Sequence, residues 1–276
     1  NWQPKPDNLR AIAEELNLGL DSFIFVDDSD YECAAVRHSL PEVEVIQVPS
    51  RAAEVPTCLN TLARLEIVSL TAEDMEKTAM YAQERMRKTQ LEQLSDTGSS
   101  IEDYLYSLNM KMTVRLDDPV AVARLAQLTQ KTNQFNLTTR RYSEKDIAGM
   151  IDDTGFAVYH FSLEDNFGNS GIVGLAIVER GDDKHARLDT FLMSCRVIGR
   201  MAEQAFLSTI VRDLENAGVQ ELSAEYIPTR KNILVEHFLP ENGFQPSKDG
   251  VYVSCLSGSD ATEPGKDFPI IIEGPI

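Results

Sequence analysis

The chain has 276 residues and a formal net charge of −18 at pH 7, and hydrophobic residues make up 42% of it. This length predicts about two domains, and the composition is that of a globular protein with buried cores. The acidity argues against partners that need clustered cations, namely nucleic acid and anionic lipid, and no apolar run approaches the roughly 20 residues that cross a membrane. We therefore expect neither a nucleic-acid partner nor a membrane partner.

The cysteines agree with a reducing compartment. No pair among Cys33, Cys58, Cys195 and Cys255 has CxxC spacing, and no histidine lies at a metal-ligand spacing from them. A zinc site and a disulfide scaffold are therefore both disfavoured. The first residues show no basic flank followed by an apolar run, so we expect no signal peptide and a cytoplasmic location.

The first third of the chain alternates helices and strands. Apolar residues within 7–17 form one helical stripe, and the short apolar strand FIFVD follows. A second helix over 30–39 and a strand within 42–49 complete the pattern. This order predicts an α/β unit with parallel strands. A long helix over about 71–95 and the linker-like SDTGSS then separate it from a second domain.

The second domain is predicted to open with a strand at 110–116 and a helix at 118–131. Ser143 caps a short helix, and the strands FAVYHFSLED, GIVGLAIVER and ARLDTFLMSC follow. The segment GRMAEQAFLSTIVRDLENAG predicts a helix, ELSAEYIP a strand, RKNILVEHFLPENGF a helix and turn, and VYVSCL a last strand. Residues 257–276 have the composition of a tail.

Lys5 with Asp27 and Asp28 forms the first candidate site, because one helix separates the lysine from a strand that ends in the two acids. Ligands of open α/β sheets bind at the carboxyl ends of strands, where carboxylates can hold Mg²⁺. The lysine can neutralise a phosphoryl group or a nucleophilic aspartate. The alternative is a solvated strand end beside a surface lysine.

The segment NWQPKPDNLRAIAEELNLGLDSFIFVDDSDYE resembles the second half of a haloacid-dehalogenase-type (HAD) phosphatase domain, most closely in the FkbH-like group. Lys5 falls on the motif lysine, and Asp27 and Asp28 fall on the acidic motif that helps bind Mg²⁺. The resemblance thus makes these three residues catalytic and the two acids metal ligands. Further blocks resemble FkbH-like sequence in order: LTAEDMEKTAMY, QLTQKTNQFNLTTRRYSEKDI, FGNSGIVGLAI, SCRVIGRMAE and EYIPTRKN.

The resemblance implies an α/β fold in two parts. Residues 1–70 would be the C-terminal part of a HAD-like, Rossmann-type parallel unit, and residues 71–100 a connecting helix and linker. Residues 101–256 would be an acyltransferase-fold domain like those of the GNAT family, followed by the tail 257–276.

HAD-type domains begin with an Asp-x-Asp strand that supplies the nucleophile and the main Mg²⁺ ligand, and this chain contains no DxDxT segment. We expect that an N-terminal segment with this strand has been removed, so that the chain is a fragment. Decay of the HAD half is the alternative. Binding of Mg²⁺ is expected only of the completed half.

The stretch SCRVIGRMAEQAFL forms the second candidate site, because a strand passes directly into a helix there. Arg196, Gly199 and Arg200 approximate the R/Q-x-x-G-x-G/A turn of GNAT-type acyltransferases. Glycine allows close backbone approach, N–H groups at a helix N-terminus can bind a diphosphate, and arginines add charge-assisted hydrogen bonds. These residues are predicted to bind a cofactor; an ordinary strand-to-helix connection is the alternative.

The order of elements from 110 to 256 matches a GNAT domain, and EYIPTRKNILVEHFLPENGF resembles the end of one. Asn232, which opens the last helix, therefore joins the predicted cofactor-binding residues. Met201 replaces the small residue usual at the next position of the turn. For this reason two ligands stay open: CoA, and the phosphopantetheine of a carrier protein, which has a single phosphate.

Three weaker candidates lie nearby. Cys195 is a candidate nucleophile and His237 a candidate acid or base, but the favoured interpretations are a small buried residue at a strand end for Cys195 and a packed or surface histidine for His237. The polar block QKTNQFNLTTRRY at 130–142 contains Arg140 and Arg141. In a GNAT fold this block borders the acceptor cleft, where it would recognise a polar acyl group or a carrier protein; a solvated loop is the alternative.

The resemblance implies a biosynthetic enzyme whose HAD half, with Mg²⁺, takes a glyceryl-type unit from a phosphorylated three-carbon donor. The unit would pass through an enzyme thioester to the phosphopantetheine thiol of an acyl carrier protein, in a methoxymalonyl-type polyketide pathway. Two alternatives stay open. One is a GNAT-type acyltransferase that uses acyl-CoA in a polysaccharide or lipid pathway, and the other is a non-catalytic module that binds a carrier protein.

Overall fold

A computed structural model describes residues 3–16, 18–60, 65, 72–96, 98–181, 184–248, 250–256 and 268–274. The chain divides into two compact units, residues 1–81 and residues 82–276. This division falls inside the predicted connecting segment 71–100. Within the described ranges, no helix combines the length and the apolar composition that crossing a membrane requires.

The first unit alternates helices and strands, as the sequence predicts. Its elements are α1 (Lys5–Leu16), β1 (Ile24–Asp27), α2 (Asp30–Ser39), β2 (Glu44–Gln47) and α3 (Val55–Asn60). Strands β1 and β2 pair in parallel, with Phe25 opposite Val45. Leu9 of α1 packs with Val36 of α2 and with Leu40, which directly follows α2, and this gives the unit a small core of its own.

The long helix α4 (Ala72–Asp96) leads into the second unit, whose elements follow the predicted order. They are α5 (Ile101–Ser107), β3 (Met110–Leu116), α6 (Val122–Lys131), β4 (Phe135–Asn136), α7 (Glu144–Asp152), β5 (Phe156–Asp165), β6 (Gly168–Arg180), β7 (His185–Met193), α8 (Ala202–Asn216), β8 (Glu221–Glu225), α9 (Phe238–Glu241), β9 (Gln245–Pro246), β10 (Val251–Cys255) and β11 (Ile270–Glu273). The mixed α/β fold and the GNAT-like order of elements are thus confirmed.

These strands form one sheet in the order β11-β3-β5-β6-β7-β8-β10-β9, with β4 paired to β7 beside this path. Successive residues of a strand point to opposite faces, so β7 contributes to two cores. Phe191 packs against Phe206 of α8, with ring centroids 5.5 Å apart. Leu192 lies in the other core with Leu125 of α6 and Ile147 of α7.

Two C-terminal elements differ from the sequence-based expectation. The predicted last helix contains only one 3₁₀ turn at Ile233–Val235 and the four-residue α9, because Pro240 lacks an N–H and Gly243, with φ of +85°, ends the helix. Part of the predicted tail is a strand: β11 pairs in parallel with β3 and buries Ile270. Residues 257–267 lie outside the described residues.

A buried ion-pair network fixes the loop before α8. Arg87 of α4 binds Asp165 at the end of β5 with two hydrogen bonds, Nε–Oδ2 at 2.6 Å and Nη2–Oδ1 at 2.8 Å. Arg200 donates to the same carboxylate at 3.2 Å and to Glu84 of α4 at 2.6 Å. All of these contacts lie within the second unit, so α4, β5 and the approach to α8 are held together there.

We expect the substitution Arg87→Ala to lower the free energy of unfolding by about 3 kcal/mol, because it leaves the buried Asp165 with one cation instead of two. Urea denaturation followed by circular dichroism measures this loss. Lys111→Ala is the control, since its pair with Glu273 is exposed and is worth about 1 kcal/mol or less. Equal effects of the two substitutions would show that the buried network does not stabilise the second unit.

Candidate functional site

The turn of residues 194–201 connects β7 to α8 and contains two left-handed residues. Gly199 has φ of +79° and Met201, the residue before α8, has φ of +61°. No side chain caps α8. A Cβ atom at Gly199 would meet no atom within 4 Å, so open space lies beside it. Such a turn at a helix N-terminus can present backbone N–H groups to an anion.

Arg200 does not contribute its charge to that space. Its side chain is buried, and its guanidinium donates to Glu84, to Asp165 and to the carbonyl oxygen of Arg196 at 2.6 Å. The Arg200 side chain therefore connects the turn to α4 and β5, and the predicted cofactor contact of Arg200 stays a prediction. Arg196 lies at the start of the turn, where its Nε atom donates to Ser194 Oγ at 3.2 Å.

The side chain of Asn232, another predicted cofactor-binding residue, forms hydrogen bonds within the chain. It is fully buried, and its Nδ2 atom donates to the carbonyl oxygens of Asn136 at 2.8 Å and Ile227 at 3.0 Å. Its Oδ1 atom accepts from the backbone N–H of Thr229 at 2.7 Å and from the Thr229 hydroxyl at 2.9 Å. Both ends of the amide are thus bonded within the chain, and Asn232 joins the loop after β8 to β4.

Strands β7 and β8 separate beside the turn, and the space between the separated strands forms a crevice that is occupied by other residues of the chain. The two strands pair in parallel from His185 opposite Glu221 to Leu188 opposite Ala224, and not beyond. Ligands of α/β sheets bind in crevices at the carboxyl ends of strands. The separation therefore lies where an arm that runs from the turn into the sheet would have to bind.

The chain fills this crevice with its own residues 135–138. On β7, Phe135 pairs with Met193 and Asn136 with Leu192, and the Leu137 N–H donates to the Phe191 carbonyl at 3.1 Å. On the side of β8, the carbonyl of Leu137 accepts from the Ile227 N–H at 2.9 Å. Leu137 is buried and joins β7 to the loop directly after β8. The polar block 130–142 is therefore in part a buried strand, and not the solvated loop of the alternative.

A polar network holds this segment in place. The Arg140 guanidinium donates to Asp189 at 2.6 Å and to Glu225 at 2.5 Å, so it connects β7 and β8 where they separate. The Tyr142 hydroxyl donates to the other oxygen of Asp189 at 2.6 Å. Burial and the bond to Asp189 raise the pKa of Tyr142 to about 12, so it is neutral near pH 7. Arg141 bonds the carbonyls of Thr129 and Thr132 near the end of α6.

These contacts do not fit CoA in the predicted manner. The backbone groups of β7 beside the crevice are bonded to residues 135–137, and Arg200 and Asn232 are committed to internal partners. A pantetheine arm would reach the β7 edge only after this segment had been displaced.

The two weaker candidates near the turn are Cys195 and His237. Burial raises the pKa of the Cys195 thiol, which favours the unreactive protonated form. His237 is exposed directly before α9.

In the first unit, Asp27 and Asp28 lie at the carboxyl end of β1, as predicted. Asp27 Oδ1 accepts from the Ser29 N–H at 2.9 Å, and Ser29 caps α2. In the part of this unit that the structure describes, no ion pair joins Lys5, at the start of α1, to either acid. No group of three or more His, Cys, Asp or Glu residues that could hold a metal occurs among the described residues. These side chains alone do not form a complete Mg²⁺ site.

Comparisons with family models and with curated proteins gave no match. The N-terminal part of a Bacteroides fragilis protein, which contains a phosphatase domain and is complexed with Mg, is 38% identical over 25% of this chain and 19% of its own length, with a TM-score of 0.24. This chain therefore spans about a fifth of that structure.

Two acetyltransferase structures are similar to about half of this chain. The PaiA N-acetyltransferase from Thermoplasma acidophilum, in complex with coenzyme A, is 13% identical over 52% of this chain and 99% of its own, with a TM-score of 0.43. A GNAT-family acetyltransferase from Staphylococcus aureus is 14% identical over 52% and 99%, with a TM-score of 0.41.

We expect the substitution Gly199→Ala to lower the free energy of unfolding by about 1–2 kcal/mol, because an L-residue is strained at this positive φ although its methyl group has space. Thermal unfolding measures the loss. Gly149→Ala in α7 is the matched control: it also has space and no positive φ, so it should stabilise the chain by about 0.5–1 kcal/mol. Effects of the same sign would contradict the left-handed turn.

We expect Asn232→Ala to expose the loop after β8 to solvent, because four hydrogen bonds of the Asn232 amide are lost. Hydrogen exchange followed by mass spectrometry should show faster exchange of the Ile227 and Thr229 amides. Asn242→Ala, which removes a bond to the Phe238 carbonyl at 2.7 Å, should leave these two amides protected. Unchanged exchange in Asn232→Ala would contradict the structural role of Asn232.

Proposed function

We propose that this chain is part of an FkbH-like biosynthetic protein whose second unit binds an acyl carrier protein and does not itself transfer an acyl group from CoA. The observation that carries this proposal is the crevice between β7 and β8, which residues 135–138 of the chain fill. Those residues belong to a sequence block that resembles the FkbH-like group. A GNAT-like fold whose crevice is filled by residues of the same chain favours binding of a carrier protein over acyl transfer from CoA.

The loop after β8 supports a protein partner. Ile227, Ile233 and Leu234 are exposed there, and Arg230 and Lys231 lie beside them. The buried Asn232 side chain holds the backbone of this loop in place with its hydrogen bonds, and the apolar side chains of the loop are exposed to solvent. Two cations beside exposed apolar residues, on a chain with a net charge of −18, are complementary to an acidic partner with an apolar patch.

The acyl-loading chemistry is assigned to the HAD-like half. We propose that this half takes a glyceryl-type unit from a phosphorylated three-carbon molecule and that the unit is loaded onto the phosphopantetheine thiol of the carrier protein. Lys5 is the proposed catalytic cation, and Asp27 and Asp28 are proposed ligands that would require further partners to bind Mg²⁺.

A second candidate is a GNAT-type acyltransferase that uses acyl-CoA. The order of elements in the second unit and the open space beside Gly199 favour it, and Arg196 and Gly199 would then contact the cofactor. This candidate requires residues 135–138 to leave the crevice. It therefore predicts that CoA binding releases the Leu137 hydrogen bonds.

Isothermal titration calorimetry separates these two functions. We expect the wild-type chain to bind both the apo and the holo forms of an acyl carrier protein, and to bind neither CoA nor acetyl-CoA measurably. Binding of acetyl-CoA together with release of free CoA thiol in its presence would overturn the carrier-binding function and favour the acyltransferase.

A pair of substitutions tests the surface. Leu234→Asp should weaken carrier-protein binding about tenfold or more, as expected for a charge at the centre of an apolar contact. Ile271→Asp is the matched control, because Ile271 of β11 is an equally exposed apolar residue outside this loop. Equal binding by both variants would contradict docking at the loop after β8.

A further inference from the structure

His160 of β5 is a buried histidine whose ring nitrogens form no hydrogen bond within the described part of the chain. Its side chain is only 3% exposed, and neither Nδ1 nor Nε2 has a partner there. Buried polar groups are nearly always paired, and histidine is the side chain whose charge changes closest to neutral pH. An unpaired histidine at this depth is therefore a point at which the fold can respond to acid.

The sheet places an apolar residue on one side of His160 and a cation on the other. Leu175 of β6 lies opposite it and belongs to the core under α6 and α7. Arg115 of β3 lies opposite it on the other side, and directly opposed residues of neighbouring strands share one face of a sheet. Of the two helices packed on this face, α6 reaches it with Arg124, whose guanidinium is bonded to the β6 backbone, and α7 reaches it with the apolar Ile147.

The acid that faces His160 is Asp118, in the loop between β3 and α6. Its Oδ2 atom lies 3.4 Å from Nε2 of the imidazole, while its Oδ1 atom accepts from the Val120 N–H at 3.0 Å and caps the turn that leads into α6. The neighbouring Asp117 is bonded to β5 itself, because its N–H donates to the Val158 carbonyl at 2.9 Å and its Oδ1 accepts from the Val158 N–H at 2.8 Å. The loop is therefore joined to β5 beside His160.

Protonation of His160 would create a buried cation that is only partly balanced. Nε2 faces the Asp118 carboxylate, but Nδ1 would carry a second N–H for which the described residues offer no acceptor, and Arg115 adds repulsion. Burial lowers the pKa of His160, and Asp118 only partly offsets this effect. The unfolded chain takes up the proton near the ordinary pKa of about 6.5. Because it then binds more protons than the folded chain, folding stability decreases as the pH falls through this value.

We propose that His160 is an acid-sensitive contact: the loop of residues 117–121 and the start of α6 stay packed on β5 while the imidazole is neutral, and its protonation loosens them. Helix α6 precedes residues 135–138 in the chain, so acid would first loosen the approach to the segment that fills the crevice. This inference goes beyond the proposed function and does not depend on it, because it involves neither a carrier protein nor a cofactor.

Urea denaturation of the wild type, His160→Phe and His237→Phe at about pH 7.5 and about pH 5.5 tests the proposal. Phenylalanine keeps a ring at position 160 but has no nitrogen to protonate. His237 is exposed, so its substitution removes a histidine without reaching the buried one. Between the two pH values, the unfolding equilibrium constants of the wild type and His237→Phe should rise about five- to tenfold more than that of His160→Phe, as expected for one histidine that is neutral in the folded chain and titrates in the unfolded chain.

NMR of the wild type tests the proposal even if His160→Phe does not fold. The His160 ring signals should still report a neutral imidazole at about pH 6, where an ordinary histidine is largely protonated. Hydrogen exchange, corrected for the intrinsic effect of pH, should show that the Asp117 and Val158 amides lose protection at about pH 5.5 while the Leu222 amide of β8 keeps its protection.

Three results would overturn the proposal. The first is a His160 ring that titrates at or above the ordinary pKa of about 6.5. The second is an unfolding constant that rises equally in the wild type and a folded His160→Phe. The third is a smaller rise in the wild type than in His160→Phe, which would show that Asp118 captures the imidazolium and that acid stabilises this contact.

Discussion

Two hydrogen bonds of Leu137 close the sheet of the second unit at the point where β7 and β8 separate. Where β7 and β8 separate, their facing backbone groups need new partners, because buried N–H and C=O groups are costly when unpaired. Leu137 provides one partner to β7, through its N–H to Phe191, and one to the loop directly after β8, through its carbonyl to Ile227. The sheet is thereby continuous where an open crevice would otherwise lie, and the position of the loop after β8 depends on this closure.

Electrostatics and aromatic packing support the closure from both sides. Arg140 connects Asp189 to Glu225 across the point of separation, and Asn232 connects the loop after β8 to β4. Phe135 packs edge-on against Phe238 at 5.2 Å. Residues 135–138 are therefore part of the core. Their displacement would expose apolar side chains to solvent and would break the ion pairs of Arg140 with Asp189 and Glu225.

The local features of the fold could be predicted from the sequence, and the long-range ones could not. Helical periodicity predicts α8, Ser143 predicts the start of α7, and the two acids of FIFVDD lie at the end of β1 as expected. The strand at Phe135–Asn136 is too short to show any periodicity. Arg200 and Glu84 lie 116 residues apart, so the sequence shows two charged residues and gives no sign that they meet.

The same distinction explains the candidate site. The resemblance of SCRVIGRM to a phosphate-binding turn depends on residue types, and the geometry of Gly199 agrees with it. The internal partners of Arg200 and Asn232 depend on what each side chain meets in three dimensions.

The side chain of Met201 connects the turn of residues 194–201 to the core of the second unit. A non-glycine residue in the left-handed region carries about 1–2 kcal/mol of strain, which glycine would avoid. The Met201 side chain packs against the main core of the second unit, so contact with the core opposes any relaxation of the backbone. The start of α8 is therefore set by packing of Met201 against the core as well as by the left-handed backbone of the turn.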